Sequence, residues 1–86
     1  MAKKQILTVQ DTAAKLYGQP FFVPSVAAGL RSVGDEANRS ASDNALYQHP
    51  DDFVVYHLGV FDDETGRFET MAPVQVARVK DLIQKI

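Results

Sequence analysis

Cysteine is missing from these 86 residues. Neither a disulfide framework nor a thiolate metal site is therefore available, and a reducing compartment suits the chain. No apolar run of signal-peptide or membrane-spanning length follows the basic opening Met-Ala-Lys-Lys, which predicts a soluble intracellular protein with no membrane partner. Cationic excess is lacking too. Nine Lys and Arg against 11 Asp and Glu give a formal net charge of −2, which argues against a strongly basic nucleic-acid coat, because phosphate binding rests on Lys and Arg density. A local basic patch is still compatible with that total.

Reactive motifs are equally scarce. The five glycines, at 18, 29, 34, 59 and 66, are scattered, so there is no P-loop, and there is no nucleophile elbow. His49 with Asp51 and Asp52, and the run Asp62-Asp63-Glu64, offer oxygen donors of the kind hard cations take. Neither has EF-hand or zinc spacing. The first reads as the entry to a strand and the second as a solvated turn, and His57 reads as a partly buried strand histidine. The expectation is a protein without catalytic, cofactor or metal site, and not an enzyme.

What is present is organised around 49–68, HPDDFVVYHLGVFDDETGRF. Residues 53–61 are aromatic and β-branched and end in an acidic, glycine-containing turn, the pattern of a strand entering a hairpin. With Glu64, Thr65 and Gly66 as the loop and Gly66 in a left-handed position, Asp63 pairs with Arg67. Phe68 then shares a continuous apolar face with Val54, Tyr56, Leu58 and Val60, the predicted core face. A four-residue loop would move Phe68 to the face of Phe53, Val55, His57, Gly59 and Phe61, and the sequence leaves both registers open.

Elsewhere, 5–9 reads as a first strand and 20–24, fenced by Pro20 and Pro24, as an edge or extended segment. Residues 12–16 read equally as a short helical turn ended at Gly18 or as a structured loop. Residues 25–38 form the best helix, with Ser25 as N-cap and Val26, Leu30, Val33 and Ala37 as its buried stripe. Polar residues 39–44 predict a loop, the likeliest flexible segment by composition. The tail reads as extended chain through Val74-Gln-Val76, then a helix from about Ala77.

The whole predicts a single α+β domain over 1–86: a small antiparallel sheet with a hairpin in its C-terminal half, covered by one main helix and a short C-terminal helix. A chain this short buries only a modest core, so a homo-oligomer is expected. Single-stranded DNA is a candidate partner, because aromatic platforms with nearby cations hold single strands. The residues that fit are Lys3, Lys4, Lys15, Tyr17, Phe21, Arg31 and Tyr47, with Phe22 beside them. A competing assignment makes Phe21 and Phe22 ordinary core.

Five blocks in order, QILTVQD at 5–11, YGQPFFVP at 17–24, RSVGDEAN at 31–38, HPDDF at 49–53 and LGVFDDETGRF at 58–68, resemble the small nonstructural protein of gokushoviruses, the icosahedral single-stranded DNA phages of the Microviridae that include the chlamydial microviruses. The resemblance covers about residues 5–70 and leaves the tail from Met71 unmatched. It implies a non-virion product acting in the host cytoplasm in viral DNA replication, at the switch from duplex replicative form to single-strand genome synthesis. It brings no catalytic residues. Two classes of function follow: a single-stranded DNA-binding accessory, or a non-catalytic adaptor that engages a viral or host replication protein through the Phe53 or Phe61 face or the Phe21-Phe22 segment.

Overall fold

The structure is a computed structural model that describes residues 3–84. Five strands, β1 (Lys3–Asp11), β2 (Leu16–Tyr17), β3 (Phe21–Val23), β4 (Phe53–Asp62) and β5 (Arg67–Arg78), form one antiparallel sheet. The order is β2-β1-β4-β5, with β3 also pairing β1, on the edge that β2 uses. Two helices, α1 (Val26–Ala37) and α2 (Ala45–Gln48), and single 3-10 turns at Pro50–Asp52 and Val79–Leu82 complete the chain.

The core lies between α1 and one face of the sheet. Leu7, Val23, Val33, Ala37, Val55 and Val79 are buried there, with Phe21, Leu30, Leu46 and Phe53 packed around them. Helix α1 starts where Ser25 Oγ accepts the Ala28 N–H at 3.0 Å. That contact satisfies one of the donors a helix leaves open at its first turn. Its other end is set by Asn38, whose Nδ2 donates to Gly34 O (2.7 Å) and Leu82 O (3.0 Å) while its Oδ1 accepts the Gln84 N–H (2.8 Å). One amide thus closes the helix and ties down the end of the described chain.

The buried stripe differs from the expected one in detail. Val33 and Ala37 are buried, whereas Val26 and Leu30 are half-buried, and Gly29 and Gly34 take the closest positions. Residues 39–44, expected to be the loosest loop, are held by the buried Asn44, which donates to Glu36 O (2.7 Å) and Arg39 O (2.8 Å). Residues 12–15 are a turn rather than helix: the Asp11 carboxylate accepts the Ala13 and Ala14 N–H groups, and Leu16–Tyr17 returns as a strand.

Three features of the C-terminal half depart from expectation. Asp62 pairs with Arg67 and Phe61 with Phe68, so the connection is the four-residue one, and Phe68 shares a side with Val54 and Tyr56 only by way of Phe61 and on the side away from the core. Secondly, the core residue of β4 is Val55, fully buried, and not the Val54, Tyr56, Leu58, Val60 set. The cause is a bulge. Leu7 pairs with His57 and Ile6 with Gly59, which leaves Leu58 without a partner on β1. One extra residue inverts the alternation of faces along a strand. Thirdly, no C-terminal helix exists among the described residues. The β-branched Val74 and Val76 run within β5, which continues to Arg78, and only the 3-10 turn at Val79–Leu82 follows. Residues 85–86 of the expected helix lie outside the described residues. Pro73 falls in the stretch where β5 shifts register against β4 between Val74 and Thr70, a place where its missing N–H costs no ladder bond.

Candidate nucleic-acid interface

Residues directly opposite each other in an antiparallel pair share a face. Leu7 therefore fixes the helix-bearing side, which takes Lys3, Gln5, Val9 and Asp11 of β1, and the other side takes Lys4, Ile6, Thr8 and Gln10. That second side carries no helix. On it, Tyr17 lies opposite Gln10 and Tyr56 opposite Thr8, and the two tyrosine rings meet edge to face at 5.4 Å. Further along, Phe22 lies opposite Ile6 and Phe61 opposite Lys4, and Phe68 pairs with Phe61. Those three rings form a cluster with centroids 5.0 to 6.1 Å apart.

The cluster depends on the bulge. Val55 and Phe61 are six residues apart on β4, yet one is in the core and the other on the open face. Gly59 makes the crossover possible: its φ is +147°, and a Cβ there would run into Glu69 O and come within 2.9 Å of Thr70 Cα. Beside it, His57 Nε2 is 2.9 Å from Gln5 Oε1 and 3.0 Å from Gly59 O. With two acceptors facing it, Nε2 carries the proton and donates. Tyr56 and Phe61 are five positions apart, so the tyrosine pair and phenylalanine trio lie at most roughly 16 Å from one another at the usual strand rise.

Ile6 and Thr8 are buried on this face, with Thr8 Oγ1 donating to Gly18 O at 2.7 Å. The aromatic rings therefore share its surface with Lys4, Gln10, Gln75 and Arg78. Tyr17, Phe22 and Phe68 are each about half exposed (48%, 49% and 57%), an unusual concentration for side chains that gain most from burial.

The acids of the strands lie on one side, whereas the strand cations are divided, Lys3 and Arg67 on the helix-bearing side and Lys4 and Arg78 on the open face. The acidic residues of the strands are Asp11, Asp62 and Glu69, and register puts all three on the helix-bearing side. The open face carries Lys4, which makes no ion pair among the described residues, and Arg78, whose Nε lies 3.1 Å from Asp81 Oδ2 at one end of the sheet. On the opposite side a shallow cavity of about 440 Å³ opens between the β1–β2 turn and the α1–α2 connection, with Asp11, Glu36 and Asp43 among its lining. There the Arg39 guanidinium, bonded to Glu36 at 2.7 Å, holds the Glu36 carboxyl below its ordinary value.

The structure divides the residues picked out by sequence. Lys4 and Tyr17 are on the open face, and Lys15 is in the turn leading to Tyr17. Lys3 is on the other side, 3.9 Å from Glu69. Phe21 packs against the core, Arg31 lies on α1 beside Asn38 and Leu82, and Tyr47 is on α2, 40% exposed. Tyr56, Phe61 and Phe68 were not among the stacking candidates, although the Phe61 face was offered to a protein partner, because without the bulge Tyr56 and Phe61 fall on opposite faces. Among the described residues no group of three or more His, Asp and Glu side chains converges as a metal site would require, and no helix is long and apolar enough to cross a membrane.

No solved structure matches the chain. Protein ORF5 of Chlamydia phage 1 is 35% identical over 63 residues, which take in 71% of this chain and 66% of that relative, so the chain spans about two thirds of the relative's length. The model of the phage ORF5 protein family matches residues 4–82, from the second residue of β1 to the 3-10 turn after β5. The resemblance carried by the five sequence blocks is thereby established at the level of a small phage ORF5-type protein, and the chain belongs to the phage ORF5 protein family.

Proposed function

We propose that the open sheet face binds single-stranded DNA, and that the protein serves as a non-catalytic accessory in phage DNA replication during single-strand genome synthesis. The observation that carries this reading is the gathering of five aromatic rings, Tyr17, Phe22, Tyr56, Phe61 and Phe68, on a face from which the acids of the strands are excluded. Stacked bases gain about 1 to 3 kcal/mol each on such rings, and every base has a π-face, so binding tolerates sequence. A chain of net charge −2 cannot attract phosphates by cation density over its whole surface, but a face free of strand acids spares a bound strand their repulsion and leaves Lys4 to meet a phosphate. Membership in a phage family is in keeping with this role. Arg31, Tyr47 and Phe21 take no part in it.

The test is fluorescence anisotropy with a labelled single-stranded oligonucleotide and its duplex. The single strand binds better, with a shallow salt dependence, and Phe61→Ala weakens binding while Arg31→Ala does not. Absence of binding at low salt and tens of micromolar protein would remove the DNA reading. The same face would then be assigned to a viral or host replication protein.

A further inference from the structure

We propose that Lys15 is the phosphate-binding cation at the Tyr17–Tyr56 end of the single-strand site, kept there at a cost to the fold. The inference rests on the reading of the open face given above. It comes from a comparison of two turns within the chain. The β1–β2 turn begins at Asp11, whose Oδ1 accepts the N–H groups of Ala13 (3.0 Å) and Ala14 (3.2 Å). The β4–β5 turn begins at Asp62, whose Oδ1 accepts those of Glu64 (2.9 Å) and Thr65 (3.4 Å). In both, the residue four positions after the Asp is left-handed, Lys15 at φ +61° and Gly66 at φ +75°.

Glycine is the residue that takes this conformation without a steric penalty. At Gly66 the chain uses it, and a Cβ there would touch nothing within 4 Å, so the requirement is on the backbone alone. Lys15 is the one non-glycine residue with positive φ among the described residues. Strain retained at one residue points to a use for its side chain. Packing is not that use, because Lys15 is exposed, and it makes no ion pair among the described residues. Its position supplies one. Lys4 lies opposite Phe61 in the phenylalanine trio, and Arg78 is engaged by Asp81. The strand cation at the tyrosine end is that same Arg78, across the sheet from Tyr17 in the row Tyr17, Gln10, Val54, Arg78, so its pairing with Asp81 leaves Lys15, two residues before Tyr17, as the unpaired cation among the described residues at that end of the sheet. A strand crossing from the tyrosines to the phenylalanines then meets a cation at each end.

Wild type, Lys15→Gly and Lys15→Arg are compared by thermal unfolding and by anisotropy with a labelled oligothymidylate at several salt concentrations. Lys15→Gly is expected to unfold at the same temperature or higher, to bind several-fold more weakly, and to lower the slope of log affinity against log salt by about 0.7, the value for one phosphate of a single strand. Lys15→Arg keeps the wild-type slope. A Lys15→Gly variant that binds with wild-type affinity and slope overturns the role of Lys15 and leaves the open-face reading standing. One that melts at a lower temperature overturns the argument from strain. If wild type itself does not bind, the open-face reading fails and the role of Lys15 falls with it.

Discussion

Gly29 of α1 lies directly against Leu7 of β1: a Cβ at 29 would collide with Leu7 Cδ1 and stand 3.0 Å from Val23 Cγ2. Leu7 is fully buried at the centre of the sheet, so neither neighbour has open space to move into. Alanine has the higher helix propensity, by about 1 kcal/mol. Crowding a packed core costs roughly 1 to 3 kcal/mol, so the balance favours glycine. Gly29→Ala should lower the midpoint of urea unfolding at unchanged slope; a midpoint equal to or above wild type would mean that α1 sits farther from the sheet.

Two neighbours on β4 give a sharp test of its faces. Val55 is fully buried against α1, whereas Val54 is half-buried on the side without a helix. Val55→Ala should cost roughly 2 to 3 kcal/mol, the transfer and cavity contributions of two lost methyl groups. Val54→Ala should cost less than half as much by the same denaturation assay. Equal losses would contradict the assignment of Val55 to the helix-bearing face and Val54 to the open one.

The left-handed turn residue Gly66 has φ +75° and open space around it. Gly66→Val should destabilise the fold by about 1 kcal/mol or more, since a β-branched residue resists this region. Here the loss is conformational and not a clash, so Gly66→Asn should recover most of it. Thermal unfolding of both variants checks the pair.

For the binding face, Phe68→Ala and Tyr47→Ala form a matched comparison. Phe68 is in the phenylalanine trio and Tyr47 is on α2, on the other side of the molecule. Removal of Phe68 should cost about 1 to 3 kcal/mol of single-strand affinity with little change in salt slope, because stacking carries no counterion release. Tyr47→Ala should bind as wild type does. A reversed result would move the site to the helix-bearing side.

The Glu36–Arg39 pair provides a pH test. Its hydrogen bond lowers the Glu36 pKa below the ordinary carboxylate value. A lowered folded-state pKa gives a stabilisation present above the unfolded-state value and lost as pH falls through the folded one. Both side chains are exposed, so the effect is small and screened by salt. A double-mutant cycle with Glu36→Gln and Arg39→Gln should give a favourable coupling at neutral pH and low salt, and none in strong acid.

How far the fold can be read from sequence depends on the range of the interactions involved. Ser25 and the recurrence of Val33 and Ala37 mark α1 because capping and amphipathic period are local. The acidic turn before Gly66 is legible for the same reason, and Pro20 and Pro24 confine Phe21–Val23 to an edge. The bulge at Leu58 is not local. It exists because β1 and β5 both shift register there, and nothing in LGV itself announces it. That residue puts Phe61 and its partner Phe68 on the side of Tyr56, and so brings together the five rings of the open face. The extended run through Val74-Gln-Val76 is legible from its alternation, whereas the turn that replaces the expected helix from Ala77 is not, since Val79, Leu82 and Ile83 fit one helical face until their packing under α1 is known.

The bulge also bears on how this face can be inherited. A relative with one residue fewer between the positions of Val55 and Phe61, and every side chain otherwise retained, would point its phenylalanine toward the helix side, among the positions of Gln5 and Glu69. An alignment would score such a chain as conserved at every aromatic position. What descends with the platform is a count of residues, and a gap of one at this place would mark its loss more surely than a substitution at any ring.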